Sequence, residues 1–276
     1  SLLCIIAATS CNSGSNTDNA NAAATATADS AGSGSVDGFK LGVQMWTFRM
    51  FSVTDALNKV DSAGIKNIEA FFGQPLGGDM KGKFGPEMDA GTRAKLKALL
   101  QSKGISIVAM GVISPKDKAE WVKAFDLAAE FGLSYITSEP KKDQWDMVDS
   151  LAGAYAIKVA IHDHPKPSGY WSPDSVLAAI KGHSNIGACA DIGHWPRSGL
   201  DPVECLKKLD GHVIGVHLKD IVAFDVINAA DTVVGKGIID YPAVFKELKR
   251  QNVNGMRSLE HESTWYHNLP AVMAMQ

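Results

Sequence analysis

A (β/α)8 barrel, the TIM-barrel form of the α/β class, is the fold this sequence predicts, on three observations. Apolar runs of strand length alternate with helix-length segments over about 240 residues. No Gly-rich phosphate loop follows an early strand, since Gly42 and Gly73 stand alone, and a doubly wound sheet loses its main signature. Polar side chains stand at the ends of the second run and the fourth to eighth, as expected where barrel strands converge on one mouth.

The elements follow in order. Residues 41–48 read as the first strand and 53–63 as a helix closed by Gly64. Residues 66–71 form the second strand. A loop over 72–88, rich in Gly and Lys, is long for a βα connection and so is expected to be functional or mobile. A helix over 90–102 stops at Gly104, a strand covers 105–112, and a helix over 118–131 stops at Gly132. Strands at Tyr135, Val159, Ile186 and Val213 alternate with helices over 145–156, 173–181 and 202–209. A second long loop runs to Asp240, a helix covers 241–251, and Gly255 opens the last strand. Only residues 269–275 remain for a short eighth helix.

With 276 residues, 45% of them hydrophobic, the chain can bury one large core. A net charge of −3 without a basic run excludes nucleic acid as the default partner. The four cysteines (4, 11, 189 and 205) are too few and too scattered for a disulfide framework, and Cys189 and Cys205 read as buried apolar residues. Residues 1–11 are apolar and end in Ala8-Thr9-Ser10-Cys11, which looks like the end of a bacterial lipoprotein signal. Residues 12–38, rich in Asn, Ala, Thr, Ser and Gly, are expected to form a disordered tether. The folded domain then covers 39–276. A lipid on Cys11 would leash it to a membrane, placing a periplasm-facing lipoprotein in the bacterial cell envelope.

The strand ends carry the chemistry. Ile186-Gly-Ala-Cys-Ala-Asp-Ile-Gly-His-Trp195 delivers Asp191 and His194. The run 159–161 leads into His162-Asp-His164, and 213–216 into His217-Leu-Lys219-Asp220. Tyr135-Ile-Thr-Ser ends in Glu139-Pro140, and Ser258-Leu ends in Glu260-His-Glu262. The order Glu-Pro, His-x-His-Pro, Asp-x-Gly-His, His-x-Lys-Asp, Gly-x-Gly and Leu-Glu-x-Glu resembles the xylose isomerase-like barrels. These are the sugar isomerase/epimerase group that also contains endonuclease IV. The opening Gly42-Val-Gln-Met-Trp46 and the close around Glu260 look like the branch of sugar phosphate isomerases/epimerases.

That resemblance implies one divalent metal near the barrel centre, Mn²⁺, Co²⁺, Zn²⁺ or Mg²⁺, with Asp191, His217 and Glu260 as ligands. The fifth-strand ligand, Glu in the family, is His162 here, and Glu139 at the fourth strand end is the reserve. Family chemistry polarises a carbonyl and its neighbouring hydroxyl, so that the adjacent C–H loses a proton and an enediolate forms. Glu260 would take the proton; His162 or His164 would return it, since side chains two apart on a strand face the same way. His194 resembles the family's substrate-binding His. Glu69, Arg197, Lys219, Trp46 and Trp195 are further substrate-binding candidates around the mouth, the aromatics suiting sugar rings. The leading reading is a metal-dependent isomerase or epimerase of a sugar or keto-sugar, and the sequence admits a homo-oligomer. A lyase or hydratase of 3-keto-glycosides competes, as does a sugar-binding lipoprotein without catalysis. Trinuclear endonuclease chemistry lacks the His ligands it would need after strands two and three. Growth of the source bacterium with a radioactive fatty acid tests the anchor: the label should appear on the native chain and vanish on Cys11→Ser.

Overall fold

The computed structural model describes residues 35–36, 39–264 and 266–275. The signal remnant, Cys11 and almost all of the expected tether lie outside them. Eight parallel strands close a ring: β1 Phe39–Gln44, β2 Asn67–Ala70, β3 Ser106–Ile113, β4 Tyr135–Ser138, β5 Lys158–His162, β6 Ile186–Asp191, β7 Val213–Leu218 and β8 Arg257–Leu259. Each pairs with its successor, and β8 pairs with β1 through Ser258 opposite Gly42, which leaves the ring no free edge. Two residues of the expected tether, Ser35 and Val36, pair antiparallel with Lys40 and Phe39.

Helices cover the outside: α1 Val53–Ser62, α2 Ala90–Lys103, α3 Lys118–Phe131, α4 Trp145–Tyr155, α5 Pro173–Ile180, α6 Pro202–Lys208, α7 Tyr241–Arg250 and α8 Asn268–Met275. Their starts are chemically marked. Ser52, Asp89, Asp117, Asp201 and Asp240 each accept a backbone N–H from the first turn of the helix that follows. Gly104 and Gly132 end α2 and α3 with φ of 59° and 68°, a backbone conformation that a side chain would disfavour. Among the described residues, no helix is long and apolar enough to cross a membrane.

One strand boundary needs correction, and the two long loops hold short pairings. The first strand stops at Gln44 rather than Phe48, because the Gln44 side chain accepts the Trp46 N–H and starts a 3-10 turn over Met45–Phe48. The 72–88 loop is not irregular throughout, since it holds a hairpin, Pro75–Gly77 against Met80–Lys83. The second long loop contains a short pairing of Asp220–Ile221 with Asp231–Thr232.

Strand alternation sorts the barrel. Val159, Ile161, Ala188 and Ala190 pack outward, in one core with Trp121, Phe125, Val148 and Val176 of the helices. Ala160, Cys189, Tyr135 and Met256 form a separate buried cluster, the lower filling of the barrel interior. Adding two to each of those positions gives His162, Asp191, Thr137 and Ser258, and a second step of two gives Glu139 and Glu260. Period-two geometry therefore aims the site residues inward at the C-terminal end. Closure also depends on small residues at the base. A Cβ on Gly255 would lie 1.6 Å from the Ile214 carbonyl oxygen, so the backbone itself would have to move. Gly255→Ala should lose roughly 1–3 kcal/mol or more of stability, read as a lower urea midpoint.

Candidate active site

The ends of β5, β6, β7 and β8 bring His162, Asp191, His217 and Glu260 together, all four buried, with one donor atom from each within 4.8 Å of the others. Nε2 of His162 is 3.2 Å from Nδ1 of His217 and 3.5 Å from Oδ2 of Asp191. Nδ1 of His217 is 2.9 Å from Oε2 of Glu260 and 3.9 Å from Oδ2 of Asp191. Donors held about 2.0–2.2 Å from one ion stand roughly 3–3.5 Å apart, which is this spacing. Asp191 Oδ2 and Glu260 Oε2 are buried, and beside the cluster each faces the Lys219 ammonium, at 3.0 and 3.3 Å. Two imidazole nitrogens and two carboxylate oxygens thus fit a divalent cation.

Neighbouring groups hold each donor in place. Glu69 Oε2 lies 2.9 Å from His217 Nε2 and also accepts from Ser258, so Nε2 is held on Glu69 and Nδ1 faces the cluster. Asp191 Oδ1 accepts the N–H groups of Gly193 and His194, while its own N–H donates to Asp163, leaving Oδ2 for the cluster. Lys219 Nζ stands 3.0 Å from Asp191, 3.3 Å from Glu260 and 3.0 Å from Glu262. Burial works against that ammonium, but the three carboxylates outweigh it and keep it charged. Burial likewise opposes an ionised Glu260, yet Lys219 and His217 hold its carboxyl at about 2. For His162 burial favours the neutral ring, but Asp191 and Glu139 raise it to about 9. The site therefore carries more negative charge than Lys219 neutralises.

A cavity of about 680 Å³ opens above the cluster, walled by Trp46, His162, His164, His194, Arg197 and Glu260, among others. His164 has 46% of its side chain exposed, and its Nδ1 is 2.5 Å from Glu139 Oε1. Glu139 lies behind His162, 3.8 Å from Nδ1 on the far side of that ring from the four-donor cluster. It belongs instead to a second group with His162 and His164. Burial would raise Glu139, but hydrogen bonds from the two histidines hold it at about 2.

The substrate-binding candidates divide. Trp46, His194 and Arg197 line the cavity, with Trp46 edge-on to Phe71. The Arg197 donors are committed to Ala229 O, Asp231 and His194 Nδ1, so it braces the wall. Glu69 and Lys219 lie beneath the cavity floor as partners of the cluster. Trp195 corrects the expectation: it is fully buried in the outer core, because the helical turn His194–Arg197 sends consecutive side chains in different directions. Sequence reasoning missed Phe71 and Phe72 in the wall, which follow β2 directly and obey the same strand-end rule. It also missed Gln44 at the end of β1 and the stretch 227–231, the latter set deep in a loop with no positional signal.

The chain matches the family model of the Xylose isomerase-like TIM barrel over residues 57–274 and belongs to that family. A putative uncharacterized protein from Parabacteroides distasonis ATCC 8503 is 36% identical, with a TM-score of 0.69 covering 87% of this chain and 98% of its own. An inosose dehydratase of Clostridium botulinum (strain Alaska E43 / Type E3) is 28% identical over 144 residues, 44% of this chain and 48% of its own. This chain thus spans about half the length of the curated relatives it matches. The IOLI protein, solved with a zinc atom, shares the fold at 17% identity, with a TM-score of 0.67 over 85% of this chain and 94% of its own.

Zinc content after dialysis tests the cluster. Asp191→Ala should abolish retention, and Glu69→Gln, which leaves every donor in place, should weaken zinc binding about 10–100-fold.

Proposed function

We propose that this chain is a metal-dependent enzyme that takes the proton next to the carbonyl of a keto-sugar glycoside and expels the group β to that carbonyl. The observation that carries the reading is His164, whose ring stands 4.5 Å from that of His162 in the wall of the same cavity, with Glu139 holding its Nδ1 from behind. The chemistry a divalent ion supplies there is Lewis-acid polarisation of the carbonyl, which makes the neighbouring C–H acidic. His162, Asp191, His217 and Glu260 are the residues that would hold it.

Glu139 accepts the proton on Nδ1 of His164 and leaves Nε2 as the ring atom available to the cavity. Ser168 donates to the other Glu139 oxygen and fixes the carboxylate in turn. An imidazole oriented in this way can accept a proton and return it. Glu260 is less suited to the abstraction that the family pattern gave it, because its Oε2 is one of the four cluster donors and is faced by His217 Nδ1 at 2.9 Å and Lys219 Nζ at 3.3 Å. With a keto group two carbons from the anomeric centre, His164 takes the proton between them. The C–H electron pair forms the new C=C bond as the anomeric C–O bond breaks. The leaving oxygen departs with its electron pair and receives the proton from His164, giving an alcohol and an unsaturated keto-sugar.

The relative named as an inosose dehydratase supports an elimination. Epimerisation or isomerisation is the second reading. It is favoured by Glu260 lining the same cavity as His164, where a second proton-transfer group would stand.

Incubation of the zinc-loaded protein with a methyl 3-keto-glucoside in deuterium oxide, followed by proton NMR, separates the readings. Elimination releases methanol and an unsaturated keto-sugar; epimerisation keeps the methyl group and inverts a centre. His164→Asn should lose both turnover and solvent exchange at the substrate carbon, by at least about 100-fold, while keeping its zinc. Full exchange in that variant would remove His164 from the base role.

A further inference from the structure

The segment between β2 and α2 plays no part in this chemistry, yet it builds a wall. Gly73 N–H donates to Phe84 O and Phe84 N–H to Gln74 O. Gln74 Nε2 donates to the Phe48 and Phe51 carbonyls, tying the segment to the turn after β1. At its other end the Arg93 guanidinium of α2 holds the Pro86 and Met88 carbonyls. Between this wall, the end of β3 and the start of α3 lies a second cavity, of about 400 Å³. Phe72 and Val112 line both it and the 680 Å³ cavity, so the two are neighbours along that wall.

We propose that this groove takes the aglycone of the glycoside, and that the aglycone is an aryl group. The inference rests on the keto-glycoside reading, which puts the sugar ring over the cluster of donors. Size is the first argument. A pyranose has about a dozen heavy atoms, whereas cavities of roughly 300–1,000 Å³ hold drug-sized ligands, so the main cavity and its extension exceed one sugar.

Lining is the second. The apolar side of the groove is built by Phe72, Pro86, Val112, Ile113 and Pro115, and Glu87, Ser114, Glu120 and Lys123 complete its lining. A second sugar would lose its hydrogen bonds to water against such walls, while an aryl ring loses none. Charge is the third argument. Glu87 and Lys123 pair with each other at 2.9 Å, and Glu120 faces Lys116 Nζ at 3.8 Å, so each charge in the lining already has an opposite partner. Because the wall is hydrogen-bonded at both ends, the groove exists before the ligand arrives.

Calorimetric titration of the full zinc-loaded chain with phenyl β-glucoside and methyl β-glucoside, neither of which carries the keto group, isolates the aglycone. Phenyl should bind about tenfold tighter or better, the expectation for burying one aryl ring. Ser114→Trp, at an exposed groove position, should bring the ratio of the two affinities close to one. Equal affinities in the native chain, or an unchanged ratio in Ser114→Trp, overturn the aryl groove. If that happens while methyl 3-keto-glucoside is still turned over, the groove alone is wrong. If neither glucoside binds and no keto-glycoside reacts, both inferences fall together.

Discussion

Four donor groups converge under the barrel mouth, and the rest of the site is arranged to make that tolerable. Two carboxylates placed side by side in a buried setting repel each other and lose hydration. Lys219 reaches up from the end of β7 between Asp191, Glu260 and Glu262 and supplies one positive charge. Glu69 fixes His217 from below, and Asp163 and the turn after β6 fix Asp191. Remove these supports and each donor would rotate toward the nearest hydrogen-bond partner. The distances of 2.9–3.9 Å around the cluster are therefore a property of the second layer of residues as much as of the four themselves.

His162 is where this chain departs from the two-carboxylate pattern, and the departure reorganises its neighbours. An imidazole reaches the cluster through Nε2 and presents Nδ1 to the strand beside it, where Glu139 waits. Glu139 then serves two rings, staying 3.8 Å from one and binding the other at 2.5 Å. In the chemistry proposed above, that histidine and its carboxylate take the acid–base role that the family pattern gives to a carboxylate pair.

Much of this was legible in the chain. Strand ends read as Asp-x-x-His, His-x-His and Leu-Glu-x-Glu because period-two alternation forces every second side chain inward, and the barrel makes all inward ends meet. His162, Asp191, His217 and Glu260 stand at strand ends by that rule, and the family resemblance marked them as ligands. Trp195 did not, because a single helical turn replaces the strand period there and sends the indole into the core. The groove was also hidden. Its walls come from three separate segments, and no spacing in sequence reports that Phe72, Ile113 and Pro86 share a space. The length of the 72–88 loop was visible, but its role depends on hydrogen bonds made by Gln74 and Arg93 with distant carbonyls.

Lys219 has a consequence for how such a protein comes into being. A cation belonging to the chain itself already balances part of the charge on Asp191 and Glu260 when the strands first close. Small metallo-domains that lack such a residue stay unfolded until their ion arrives. Here the chain's own ammonium would let the barrel close around Asp191 and Glu260 before any ion is bound.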